Sequence, residues 1–230
     1  MNQKEIWASQ SEELKDLFYK PEALDSLYKY IKKTDRILDQ GCGTGRYSFT
    51  LYKLGYENIV GMDFSPKLLE IAKENAKKLN YEIKFVEGDI RNMPFKDGSF
   101  DVVISAGVIE HVPETEKAMS EISRVLKDEG YLFIHVPHRI STFTIIKLIR
   151  KSFGLWSLGY EKSFTKSEVR NLLKENGFIV LDFYINEFTA GKHKILGNII
   201  RIIDKPLYLI GYGGHHLHFI CKKENKANWK

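Results

Sequence analysis

Along this chain, short apolar runs that end in Gly, Asp or Ser are each followed by a longer stretch with apolar positions three and four apart. The runs predict strands at 37–40, 58–63, 83–90, 102–106, 131–136, 178–185 and 216–221. Between them the spacing predicts helices. One opens at Ser65-Pro66 and runs to about Leu79; another starts at Pro113 and ends near Leu126, where Asp128-Glu129-Gly130 turns the chain into the fifth strand. Thr165-Lys166-Ser167-Glu168 has the form of a capping box opening a helix to Asn176, and Gly177 stops it. An amphipathic lead-in over residues 10–32 is broken by Pro21. Strands that alternate with helices predict an α/β chain, a parallel sheet covered on both faces.

The first strand, Ile37-Leu38-Asp39-Gln40, runs directly into Gly41-Cys42-Gly43-Thr44-Gly45-Arg46. Glycines at alternating positions let the backbone pass close to a ligand, and the following helix points its N-terminus at the same place. A dinucleotide loop needs G-x-G-x-x-G, and Arg46 stands where its third glycine would be. Asp63 ends the second strand, at the ligand edge of a parallel sheet, where a carboxylate can accept both hydroxyls of a ribose. Phe64 beside it offers an apolar edge to an adenine. Asp89 closes the third run in Gly88-Asp89-Ile90, and Met93-Pro94-Phe95-Lys96-Asp97-Gly98-Ser99-Phe100-Asp101 leads into the wholly apolar fourth strand.

Asp39 followed by Gly41-x-Gly43-x-Gly45, Asp63, the Gly88-Asp89 step and the 93–101 loop resemble the class I S-adenosylmethionine-dependent methyltransferases, from about Arg36 to Pro137. The resemblance implies a Rossmann-like, doubly wound sheet of seven strands, mostly parallel with an antiparallel last strand. It implies that S-adenosyl-L-methionine is bound by Asp39, Gly41, Cys42, Gly43, Gly45, Asp63, Phe64, Asp89, Ile90, Ser105 and Ala106, with S-adenosyl-L-homocysteine as product. Methyl transfer from a sulfonium by in-line displacement asks the protein mainly for alignment and exclusion of water. An acidic acceptor proton would still need a base. Val108-Ile109-Glu110-His111-Val112-Pro113, after the fourth strand, supplies His111 as a base or as a packing residue, and Glu110 to orient the acceptor. His138, just past the fifth strand, is a second candidate.

Composition narrows the setting. The chain has 230 residues, 43% of them hydrophobic, which suits one domain, 1–230. No basic stretch followed by an apolar run opens it, so no signal peptide is expected. Two distant cysteines make no disulfide framework and fit a cytoplasmic protein. Gly213-Gly214-His215-His216-Leu217-His218 lacks a carboxylate or cysteine at a ligand spacing, so no metal site is expected.

Acceptor choice belongs to the segments outside the core pattern. Residues 139–164 are inserted after the fifth strand, and the spacing puts Lys147, Arg150 and Lys151 on one helical face and Phe143, Ile146, Ile149 and Phe153 largely on another. Residues 190–212 hold a second basic amphipathic pattern. The chain carries +5 overall, yet residues 190–230 have eight Lys or Arg against Asp204 and Glu224. Such helices can cover an apolar acceptor as a lid, lie on an anionic membrane, or pack on the sheet with a solvated basic face. Arg201, Asp204, Lys205 and Pro206 rule out a membrane span there. DNA is not expected as partner: Ser105-Ala106-Gly107-Val108 lacks the Asn or Asp, Pro-Pro and aromatic of an amino-methylating enzyme. Three functions stand: a methyltransferase acting on a small molecule, apolar or lipid-like acceptors included; a non-catalytic cofactor-binding or membrane-surface protein; and a nucleotide-dependent oxidoreductase, which Arg46 opposes.

Overall fold

The computed structural model describes residues 22–157, 159–186, 205–206 and 214–225. Helix α1 (Glu22–Leu27) precedes β1 (Ile37–Gln40), α2 (Arg46–Lys53), β2 (Ile59–Asp63), α3 (Pro66–Leu79), β3 (Lys84–Glu87) and β4 (Phe100–Ala106). A 3₁₀ turn (Ile109–His111), α4 (Thr115–Val125), β5 (Leu126–Pro137), α5 (Thr142–Ser152), α6 (Lys166–Glu175), β6 (Phe178–Asn186) and β7 (His216–Lys223) follow. The seven strands lie in the order β3-β2-β1-β4-β5-β7-β6. All neighbours are parallel except β7, which runs antiparallel to both β5 and β6. The expected Rossmann-like sheet is therefore present, with its antiparallel last strand inserted between β5 and β6.

Period-two alternation divides the core. Leu38, Val60, Met62, Val103 and Ile134 face α4 and α6, whose Ala118, Met119, Ile122, Val169 and Leu173 are buried against them. Ile37, Ile59, Val102, Ile104 and Phe133 face the other way, against Leu24 and Leu27 of α1 and Leu51 of α2. Because the strand order reverses between β1 and β4, their carboxyl ends open a crevice at the switch point, where ligands bind in open α/β sheets.

Several boundaries differ from those the pattern predicts. Strand β3 stops at Glu87, because the Asp89 carboxylate accepts from the Arg91 backbone N–H at 2.8 Å and turns the chain there. Ser65 caps α3 by position but not by side chain; its backbone N–H instead donates to Asp63 Oδ1. Helix α4 starts two residues after Pro113, and the 3₁₀ turn lies before that proline. Asp128-Glu129-Gly130 lies inside β5: Phe100 pairs with Leu126 and Val102 with Tyr131, so Lys127–Gly130 bulge out, with Glu129 at φ 66°. The capping box at Thr165 and Glu168 forms as the spacing predicts. Of the lead-in, only the part from residue 22 on is described, and the 190–212 pattern lies outside the described residues apart from the helical pair Lys205–Pro206.

Candidate functional site

At the carboxyl ends of β1, β2 and β4 lies a cavity of about 490 Å³, within the range of small-ligand sites. Its first wall is the glycine loop. The N–H groups of Gly41 and Cys42 both donate to Met62 O, at 2.7 and 2.9 Å, which pins the loop to the end of β2. Gly41 has φ +68°, and a Cβ there would lie 2.5 Å from a Val108 methyl, so no larger residue fits. Gly43, at φ +54°, has nothing within 4 Å of where its Cβ would be. That open space is what a ligand passing close to the backbone requires.

Asp63 ties the loop to the next helix. Its Oδ2 accepts from Gly43 N–H and its Oδ1 from Ser65 N–H, each at 2.9 Å, and the residue is 5% exposed on the cavity wall. Each carboxylate oxygen has two lone pairs, so the group keeps acceptor capacity toward the cavity. Phe64, Leu68 and Ile90 make the neighbouring wall apolar. Asp89 also lines the cavity, with its carboxylate held by the Arg91 guanidinium at 2.7 Å and its pKa lowered, first by that hydrogen bond. These groups fit S-adenosylmethionine: a glycine cradle with open space, a buried carboxylate at a strand end, and apolar sides for a planar base.

Other expected contacts stand one layer back. Asp39, 1% exposed, is absent from the cavity wall; its Oδ2 accepts from Ser48 N–H at 2.9 Å and Ser48 Oγ at 2.6 Å, bracing α2 beneath the loop. Burial pushes its pKa up to about 6 against the lowering effect of Ser48. Gly45 packs on the Phe49 ring, and Ser105 is fully buried within β4; neither reaches the cavity. Cys42 and Ala106 do line it.

The opposite wall is Gly107, Val108, His111, Val112, Pro113 and Tyr160. His111 Nδ1 lies 3.0 Å from the Tyr160 carbonyl, which can only accept, so Nδ1 carries the proton and Nε2 the lone pair. Burial lowers the pKa of this ring and favours that neutral form. Glu110 faces inward instead. It is 2% exposed, its Oε2 has no hydrogen-bond partner among the described residues, and burial pushes its pKa up to about 8. His138 is a correction: β5 continues to Pro137 and His138 bridges to Phe164, so it is 2% exposed and away from the cavity wall.

The insert also departs from its expected faces. Lys147 is 4% exposed, its ammonium paired with Glu161 at 2.9 Å and bonded to Ser163, so it does not share a solvated face with Arg150 and Lys151. Thr44, Arg46, Tyr47, Arg91 and Tyr160 line the cavity, although none of them is an expected ligand contact from the sequence. The first three flank the glycines and follow from loop geometry; Tyr160 comes from the insert, some 50 residues from His111, and carries no local signal. Histidines 135, 216 and 218 meet across β5 and β7 with ring centroids 4.1 and 4.5 Å apart for His135–His216 and His135–His218. Among the described residues no group of three His, Cys, Asp or Glu side chains is arranged to hold a metal ion.

The sequence matches a family model described as a methyltransferase domain over residues 31–177. It is 32% identical over 142 residues to demethylmenaquinone methyltransferase from Staphylococcus haemolyticus (strain JCSC1435), covering 60% of this chain and 59% of that protein. It is 35% identical over 106 residues to the eEF1A lysine and N-terminal methyltransferase of Bos taurus, covering 45% of this chain and 15% of that one. The chain thus spans less than two thirds of the length of both relatives. Among solved structures, a SAM-dependent methyltransferase from Methanosarcina mazei superposes with a TM-score of 0.65 at 20% identity, over 87% of this chain and 98% of that one. A possible histamine N-methyltransferase from Thermotoga maritima gives 0.65 at 23% identity, over 88% of each. With the glycine loop, the Asp63 wall and the strand order already in place, the match over more than half its length means that the chain belongs to the methyltransferase-domain family, in its class I S-adenosylmethionine-dependent form.

Proposed function

We propose that this protein transfers a methyl group from S-adenosylmethionine to a small, predominantly apolar acceptor bound between the glycine loop and the 107–113 segment. The observation that carries the reading is the division of one cavity into two walls: a polar cradle at Gly41, Gly43 and Asp63, and an apolar face of Val108, Val112, Pro113 and Tyr160 with His111 in it. When bound, S-adenosylmethionine supplies a methyl group on a positively charged sulfur. The chain's residues supply position and dryness. Asp63 fixes the ribose end, Phe64 and Ile90 flank the base, and Tyr160 and the apolar wall exclude water from the acceptor side. His111, neutral and with Nε2 as its accepting nitrogen, can take a proton from an acceptor hydroxyl or ring carbon.

The names of the relatives point to two kinds of acceptor, demethylmenaquinone in one and eEF1A in the other. The apolar wall favours the former. Isothermal titration with S-adenosylmethionine beside NAD, then a product screen with labelled methyl donor against prenylated quinols, other apolar small molecules and peptides, tests the reading. Heat with S-adenosylmethionine alone and label in an apolar product are expected. Binding of NAD in its place, or label only in peptides, would overturn it.

A further inference from the structure

Helix α5 is turned inside out for a helix in water. Its buried polar residue is a lysine: Lys147 sits beneath it, paired with Glu161 and bonded to Ser163. Its outer face carries Ile145, Leu148 and Ile149, exposed by 59%, 60% and 52%, at spacings of three and four that make one stripe. Phe153 extends the stripe one turn on, at 74%, and Leu155 follows at 62%. Contiguous apolar patches of this kind are uncommon on proteins that work alone in water.

The charge around the patch has one sign. Residues 138–160 contain Arg139, Lys147, Arg150 and Lys151 and no Asp or Glu. Arg150 and Lys151 are exposed at the C-terminal end of the stripe. The Lys151 ammonium lies 5.8 Å from the Trp156 ring, whose Nε1–H donates to Gly159 O, an arrangement of apolar body and polar edge suited to a lipid–water boundary. A two-fold contact between copies of this chain through 138–160 would offer Arg150 and Lys151 no carboxylate, since that segment has none. Anionic headgroups satisfy both cations while the stripe enters the acyl boundary.

We propose that α5 and the 153–156 turn form a docking surface for an anionic lipid bilayer, with the helix lying in the plane of the interface. The stripe of Ile145, Leu148, Ile149 and Phe153 enters the headgroup–acyl boundary and Arg150 and Lys151 contact lipid phosphates. Tyr160 is both exposed and part of the cavity wall, so the docked face adjoins the acceptor side of the site. The docking goes beyond the methyl-transfer reading and stands without it.

Flotation of the full chain with vesicles of phosphatidylcholine, alone or mixed with phosphatidylglycerol, tests it. Strong binding to the mixed vesicles and at least about tenfold weaker binding to the neutral ones is expected, with a steep loss in high salt. Leu148→Ser with Phe153→Ser should weaken binding to mixed vesicles at least about tenfold, and Arg150→Gln with Lys151→Gln by a similar factor. All four residues lie outside the cavity wall, so thermal melting and titration with S-adenosylmethionine should be unchanged in these variants. Wild-type protein that fails to bind mixed vesicles overturns the proposal, as does binding that survives both double variants, since another part of the chain would then carry it. A dimer in light scattering that the Leu148→Ser and Phe153→Ser pair dissociates also overturns it, in favour of a second copy. Loss of S-adenosylmethionine binding with vesicle binding intact would instead count against the methyl-transfer reading alone.

Discussion

From Asp39 to Ser65 the cavity is held by backbone amides that donate within a single βαβ unit: Gly41 and Cys42 to the Met62 carbonyl, Gly43 and Ser65 to the Asp63 carboxylate, Ser48 to the Asp39 carboxylate. The insert over the other side is held by a buried ion pair and by bonds to the 109–111 turn. Lys147 of α5 meets Glu161 and Ser163, Lys162 N–H donates to Glu110 O, and His111 Nδ1 to Tyr160 O. A wall whose donors are main-chain amides of one βαβ unit keeps them whatever the side chains are, while one that rests on a buried ion pair depends on both partners being present. The comparison is sharpest at Lys147. Lys147→Ala leaves Glu161, which is 6% exposed in its side chain, buried without its cation, and should cost roughly 3 to 5 kcal/mol and lower the melting temperature by roughly 10 °C. Lys147→Met with Glu161→Leu removes both charges and should recover most of it. If the single variant melts like wild type, the insert is not held by this pair.

Glu110 tests the same contrast by pH. Its folded pKa of about 8 lies above the ordinary 4.5, so the folded state holds this proton more tightly than the unfolded chain does. The stability it contributes is fully present below about pH 4.5 and is lost as pH rises through about 8. Asp39 acts with the same sign between 3.8 and about 6. The wild type should therefore lose roughly 2 to 4 kcal/mol relative to Glu110→Gln between pH 5 and pH 8.5; the buried histidines, whose lowered pKa values act with the opposite sign, are common to both proteins. Glu110→Gln, neutral throughout, should lack this loss and melt higher than wild type at pH 8.5. A parallel decline in both proteins would show that Glu110 does not ionise in this window.

These two halves were also unequally legible. Strand β1, the glycine turn and Asp63 follow from residues within a single βαβ unit, where apolar runs and positive-φ glycines leave few alternatives. Even there the sequence could not separate lining from bracing: Asp39 and Asp63 are both strand carboxylates, and only the position of Ser48 turns Asp39 inward. In the insert the periodicity is amphipathic, but it does not say which face meets water. Nothing within α5 says that Lys147 has a carboxylate waiting 14 residues away; the pairing exists only once Tyr160–Phe164 lies alongside. His138 misled for a related reason, since β5 runs further than its apolar core suggests and carries that residue into a bridge. For the donor wall, Asp63→Ala should weaken S-adenosylmethionine binding by roughly 1 to 3 kcal/mol in calorimetry, through the unpaired ribose hydroxyls and the released loop. Undiminished affinity would remove Asp63 from the site.

The smallest effect is expected where the exposed face of the insert is changed. Phe153 is a large aromatic residue, and its removal from a core would cost roughly 3 to 5 kcal/mol. At 74% exposure it has already kept most of its surface in water, so little burial is lost when it becomes Ser. Phe153→Ser should melt within roughly 0.5 kcal/mol of the wild type, against the several lost at Lys147 one and a half turns earlier. The inequality runs opposite to the ordinary rule for a helix, in which replacing the aromatic is costly and replacing the lysine is not. Its reversal by experiment, with Phe153→Ser destabilising and Lys147→Ala neutral, would mean that α5 packs its apolar stripe inward, and the orientation on which the docking surface depends would be wrong.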